Sequence, residues 1–243
     1  MRKSKIVAAA AAFALLAPFA ASAQEAAPVS APAAGPKKVK PPVSLEGVWK
    51  AQGDGVLRTL DGKTPPLKPA PLKAYMAKRA AYLAGDPKVD PTRRCKPPGE
   101  PRLMIDPNVP FEIVETWPRV MFLYQWNRLV RMIEMGPPRE VIGPSYFGQN
   151  AGSWDGTTFV VDVQALHESV VLDKSGLPHS ENAHLTQRFR LIGNGQMEVI
   201  IHIVDPAVYT TAWDARVVFD KQPEGTRIRE DICLEREGLV GKY

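Results

Sequence analysis

The sequence lacks most of the features that give a function away. There is no Gly-rich phosphate loop, no dinucleotide fingerprint, no strand–Ser–helix nucleophile elbow and no Cys-x-x-Cys pair. These absences exclude a nucleotide or flavin cofactor and dithiol redox chemistry as readings of the sequence, and the expected cofactor set is none. Net charge is also scarce. The formal +5 falls to about +2 once Arg2, Lys3 and Lys5 are set aside, and no concentrated basic stripe marks a nucleic-acid partner. After residue 20 no apolar run approaches the roughly 20 residues that a spanning helix needs, so no membrane association is expected once the leader is gone. Strands and helices show no alternating βαβ rhythm, which excludes a parallel α/β sheet.

What is present begins with a leader. Arg2, Lys3 and Lys5 precede an apolar run from Ile6 to Ala20, and Ala21-Ser22-Ala23 gives the small-x-small pattern cut before Gln24. Residues 1–23 therefore read as a signal peptide, with the bacterial periplasm as the expected destination. Residues 24–42, rich in Ala and Pro with Lys37, Lys38 and Lys40, cannot build a core and read as a disordered spacer. Residues 43–243 are enough for one domain. In an oxidising compartment the two cysteines, Cys95 and Cys233, pair by default, joining an early loop to an expected last strand over Thr226–Leu234. Such a bridge contributes about 4–5 kcal/mol on the chain-entropy model. Two buried free thiols are the alternative.

Within the domain, Pro71 to Ala84 has helical spacing in Leu72, Tyr75, Met76, Arg79 and Leu83, with Pro71 suited to the first turn and Gly85 to the cap. Short strands are expected at Arg102–Ile105, Phe111–Thr116, Arg119–Trp126, Leu129–Met135, Phe159–Leu166, Leu185–Leu191, Met197–Val204, Thr211–Asp220 and Thr226–Leu234, with turns at Trp117-Pro118, Asn194-Gly195 and Glu224-Gly225. About nine or ten short strands and one helix make the class mainly β and antiparallel, and a closed barrel, which removes sheet edges, is preferred over a sandwich. The Gly47-Val48-Trp49 entry resembles the Gly-x-Trp start of lipocalin-like (calycin-type) barrels. The expected fold is therefore a lipocalin-like barrel with one N-terminal helix and long loops.

The chemistry-bearing residues concentrate between two strands, from Ser153 to Arg190, where His167, His179 and His184 lie among Glu168, Asp173 and Glu181. If Leu177–Glu181 is extended, His179 and Glu181 share a face, which suits a carboxylate orienting an imidazole for proton transfer. Two histidines and a carboxylate in His179, Glu181 and His184 are also a common catalytic zinc set, although the spacing matches no standard zinc motif. A polar turn is the third reading. His167 and Glu168 stand at a strand end. His202, between Ile201 and Ile203, is expected to share the side of Ile200 and Val204 as a core or lumen histidine. Arg102 is the leading clamp for an acidic substrate, with Arg128, Arg131, Arg188 and Arg190 as alternatives. Tyr124, Tyr146 and Tyr209 can hydrogen-bond a phenol, and Trp126, Trp154 and Trp213 serve as packing or pocket walls.

Four runs, Cys95–Arg102, Pro110–Val114, Trp154–Asp162 and Leu172–Glu181, together with Asp205–Thr210 and Trp213, resemble a large family of exported, mostly uncharacterised bacterial proteins. The resemblance spans roughly Leu45 to Glu237. Some sphingomonad members of that family look like cofactor-independent decarboxylases of lignin-derived phenylcoumaran-type acids. The resemblance implies a lyase acting on a small aromatic carboxylic acid. His179, Glu181, Tyr124 and Tyr209 are then the expected catalytic set. Arg102, His184, His167, Tyr146 and Trp126 are the expected substrate contacts. Two departures point to a different substrate: His167-Glu168 replaces a common Asn-Asp pair, and Tyr124-Gln125-Trp126 replaces a Tyr-Glu-Tyr-like run. A non-catalytic barrel that binds a hydrophobic small molecule, and a metal-dependent hydrolase using His179, Glu181 and His184, are the competing readings. In all three the greasy interior is expected to open beside the histidine-bearing insert.

Overall fold

The computed structural model describes residues 41–136 and 143–241. The leader expected over 1–23 and most of the spacer expected over 24–42 lie outside them. Nine strands close into a barrel in sequence order: β1 (Gly47–Ala51), β2 (Phe111–Thr116), β3 (Arg119–Tyr124), β4 (Val130–Met135), β5 (Gln149–Asp155), β6 (Thr158–Gln164), β7 (His184–Gly193), β8 (Gln196–Val204) and β9 (Trp213–Lys221), with β9 returning to β1. An odd number of alternating strands cannot close with every neighbour antiparallel. The one parallel junction falls between β4 and β5, where Glu134 pairs with Ala151 and Met135 with Gly152. Parallel neighbours need a connection of a dozen or more residues, and the link from Met135 to Gln149 is long enough to supply it. The other eight junctions are antiparallel, so the barrel is the expected antiparallel one with a single parallel seam.

Alternation sets the wall. Phe111 and Ile113 on β2, Val120, Phe122 and Tyr124 on β3, and Leu185, Gln187 and Phe189 on β7 point inward and are buried. Rings from five strands fill the middle, with Phe111 5.3 Å from Phe122 and 5.6 Å from Phe219, and Phe189 5.5 Å from Phe122 and 5.9 Å from Phe159. The β7–β8 hairpin turns at Asn194 and Gly195, both at positive φ, as the Asn-Gly signal requires.

The long link from β1 to β2 carries helix α1 (Pro69–Ala84), which starts with Pro at its first turn and ends at Gly85 in the left-handed region. Tyr75 is its buried anchor, with its hydroxyl 2.7 Å from Ser175 Oγ. The residues that follow bend back over one end of the barrel. Arg102–Ile105 is not a strand: Leu103 N–H and Ile105 N–H donate to Gly99 and Pro101 carbonyls, and Leu103, Met104 and Ile105 are all buried. A half-buried strand would expose every second residue, whereas this segment is a plug covered on all sides. Thr226–Leu234 is not a strand either. β9 already pairs with both β8 and β1, so the barrel has no edge for another, and the chain ends in a short helix α2 (Cys233–Arg236). The Cys95–Cys233 disulfide is present and ties the plug region to α2 rather than to a last strand.

Candidate functional site

The plug end and the insert end of the barrel are the same end. Residues 165–183 leave β6 and enter β7 beside the start of β9, and their turn packs under α1, whose Tyr82 ring lies directly over Gly176. Asp173 organises this insert. Its carboxylate accepts the Leu57 N–H (2.9 Å), the Ser175 N–H and hydroxyl (2.8 and 2.7 Å) and the Leu177 N–H (3.1 Å). Burial pushes its pKa up, against the pull of those bonds. Asp205 does the same from the turn after β8, accepting the Ser180 N–H (2.6 Å), the Ser180 hydroxyl (2.8 Å) and the Ala207 N–H (3.2 Å).

The insert's expected site residues are held apart. His179 is half-buried, and its Nδ1 donates to its neighbour's carbonyl, Ser180 O, at 2.8 Å. Its Nε2 is buried without a hydrogen-bond partner among the described residues. Glu181 is exposed, and among the described residues no hydrogen bond or ion pair joins it to His179. His184 Nε2 stands 3.3 Å from Asp162 Oδ1, too poorly aimed for a hydrogen bond. A shallow groove of about 340 Å³ runs past Gln164, Glu181 and His184. His167 accepts the Ser169 N–H at 3.1 Å and stacks on Tyr146 at 5.0 Å. Tyr209 is buried and donates to Pro178 O at 2.8 Å, with burial holding its phenol far above the ordinary range. Among the described residues no three His, Cys, Asp or Glu side chains converge as a metal site. His202 lies on the outer face, 2.7 Å from Asp214, because the inward positions of β8 are Ile201 and Ile203. His202 does share the side of Ile200 and Val204, but that side faces outward rather than into the core or lumen.

Arg102, at the start of the plug, is buried with its fork on Asp90, Nη1 to Oδ1 at 3.0 Å and Nη2 to Oδ2 at 2.6 Å. Trp126 is buried, with the Arg236 guanidinium 5.3 Å from its ring. Tyr124 belongs to a network that sequence reasoning assembled only in part. Its hydroxyl donates to Glu100 Oε1 at 2.5 Å, and Arg131 Nη1 lies 3.0 Å from Glu100 Oε2. Arg131 also donates to Asn150 Oδ1 (2.8 and 2.7 Å) and Gln187 Oε1 (2.7 Å), while Gln187 Nε2 donates to Glu100 Oε2 at 3.3 Å. Glu100, Tyr124, Arg131 and Gln187 are wholly buried. Burial and the Glu100 charge raise the Tyr124 phenol well above its ordinary pKa, so it remains a donor. The sequence pattern does not single out Glu100, Asn150 or Gln187, and it offers Arg131 only as an alternative clamp. A readable sign existed in Gln187, a polar residue at an inward position between Leu185 and Phe189.

Among the described residues the opposite end is open. A groove of about 1000 Å³ is lined by Trp117, Val120, Met135 and Trp154, with Pro41–Ser44 along one side and Glu46, Glu115, Thr116 and Arg119 at its polar parts. Val120 is the buried member of this lining, and the Trp154 ring lies 5.1 Å from Phe159 of the core. The five steps of β3 from Arg119 to Tyr124 put this mouth about 17 Å from the Glu100 network. No protein-family model matches the chain, and no curated protein matches it.

Proposed function

We propose that this chain is a binding barrel for a small molecule with a flat apolar body, seated in the open-end groove between Trp117 and Trp154. The observation that carries the reading is the groove itself. Its volume is in the range that takes a small organic ligand, it sits in a barrel mouth, and its walls are mostly apolar and aromatic. Export to the periplasm belongs to the same reading, and the Cys95–Cys233 bridge is compatible with an oxidising compartment. The test is a fluorescence titration with the neutral dye N-phenyl-1-naphthylamine. One saturable site is expected, weakened about tenfold or more by Trp154→Ala, since a buried aromatic contact is worth about 0.5–1.5 kcal/mol beyond its area. Non-saturable binding, or binding indifferent to both Trp154→Ala and Trp117→Ala, sinks the proposal.

A second reading, the cofactor-independent decarboxylase of an aryl acid, has one observation in its favour. Tyr124, Glu100 and Arg131 place a phenol donor, a carboxylate and a guanidinium in contact within an apolar interior. A substrate carboxylate would take the place of Glu100 on Arg131, and Tyr124 would hydrogen-bond the aromatic hydroxyl. Incubation with a phenylcoumaran-type acid should then release carbon dioxide, and Arg131→Met should abolish that release. If no carbon dioxide appears from the wild-type protein, the lyase reading is lost and the binding reading stands.

A further inference from the structure

The inward positions of β2 lead from Phe111 and Ile113, both buried, to Glu115 at the open end. Glu115 is therefore a carboxylate at the end of an apolar inward row, in the lining of the groove with Trp117, Val120 and Trp154. Its Oε1 is fixed by the Leu45 N–H at 2.7 Å. Its own N–H is held by Glu46 Oε1 at 3.2 Å, so strand and side chain are both positioned. Among the described residues Glu115 Oε2 accepts no hydrogen bond. Arg119, the cationic side chain of the lining, is engaged by Glu134, Nε to Oε1 at 2.8 Å.

An ionised carboxylate only accepts hydrogen bonds, so the ligand group that meets Glu115 Oε2 must donate one. A hydroxyl or similar donor on an aromatic body answers both the walls and the acceptor. A carboxylate on the same body would face Glu115 and Glu46 with like charge and bring no donor. Taking the groove as the binding site proposed above, we propose that it selects neutral phenols, with the phenol O–H donating to Glu115 Oε2, and discriminates against the corresponding aromatic acids. Charge-assisted hydrogen bonds of this kind are roughly twice as strong as neutral ones, which makes the acceptor a specificity element rather than a general contact.

The experiment is calorimetric titration of the disulfide-bonded protein with three near-isosteres: 4-phenylphenol, biphenyl and biphenyl-4-carboxylate. The phenol is expected to bind about tenfold or more tighter than biphenyl, and the acid weakest of the three. Glu115→Gln keeps an oxygen for the Leu45 N–H but removes the charge. In that variant the phenol should lose most of its advantage, and the acid should gain on biphenyl. Biphenyl binding as tightly as the phenol, the acid binding tightest, or a phenol preference that survives Glu115→Gln overturns the selectivity while leaving the groove as a binding site. Failure of all three to bind overturns the groove reading and this inference together.

Discussion

Replacing Arg131 by Met is the sharpest test of what the plug end is made of. Arg131 and Glu100 are both fully buried and lie 3.0 Å apart, and the guanidinium also holds Asn150 and Gln187. Methionine fills similar space but leaves the Glu100 carboxylate with the Tyr124 and Gln187 donors alone. Breaking a buried pair from one side costs about 3–5 kcal/mol, because the remaining charge stays out of water without its counter-charge. For a domain of this size that is a fall in Tm of about 6–20 °C. Glu100→Gln should cost a comparable amount for the mirror-image reason. The double variant, which buries no net charge, should lose clearly less than the two single losses together, with a coupling of about 2 kcal/mol or more. The assay is urea unfolding of the oxidised protein, with the m-value checked to remain constant. A loss under about 1 kcal/mol in Arg131→Met, or single losses that simply add to within about 0.5 kcal/mol, would refute a tightly coupled network.

Further predictions concern the elements around it. Replacing both Cys95 and Cys233 by Ser opens a bridge spanning 138 residues and should cost about 5 kcal/mol on the chain-entropy model, read as a drop in midpoint against the oxidised wild type. Burial alone would raise Asp90, but Arg102 and Thr92 outweigh it and hold its pKa below the ordinary value. The native state therefore binds this proton less readily than the unfolded chain. The stability from the pair is present above about pH 4 and is lost as pH falls through the lowered native value. Asp90→Asn should flatten that acid limb, and an unchanged limb in pH-dependent unfolding would contradict it. Gly176 sits at φ +83 with an added Cβ only 2.2 Å from the Tyr82 ring. Gly176→Ala should cost about 1–3 kcal/mol by displacing α1 from the insert, measured by thermal unfolding.

Local pattern made the wall legible and left the interior chemistry hidden. Period-two alternation in Phe111–Thr116 and Leu185–Phe189, the Asn194-Gly195 turn and the Pro-to-Gly helix signal all act over a few residues, and each reads true in the structure. The Glu100 network depends on partners 56 and 87 residues from Gln187, and no window of the sequence brings these together. Arg102–Ile105 misleads because an apolar run reports burial without saying how many sides are covered. Thr226–Leu234 misleads because alternation cannot report whether a sheet edge is still vacant. The insert is conspicuous in sequence for its histidines, yet Asp173 and Asp205, which bind its backbone, account for its shape. The groove lies at the other end because the turn at Trp117-Pro118 and the end of β5 supply its tryptophans, a pairing set by topology.

A hoop with a single clasp is only as tight as that clasp. Here the fastening is Glu134 and Met135 against Ala151 and Gly152, completed by the Gly136 N–H on Gly152 O at 2.9 Å, while β7 and β8 are sewn together along nearly their whole length. Amide hydrogens of Glu134 and Gly136 should accordingly exchange with solvent well before those of Leu185 to Phe189. Because Met135 belongs to the clasp, Trp154 lies two residues beyond it on β5, and both wall the mouth, any loosening there widens the entrance before it disturbs the aromatic centre.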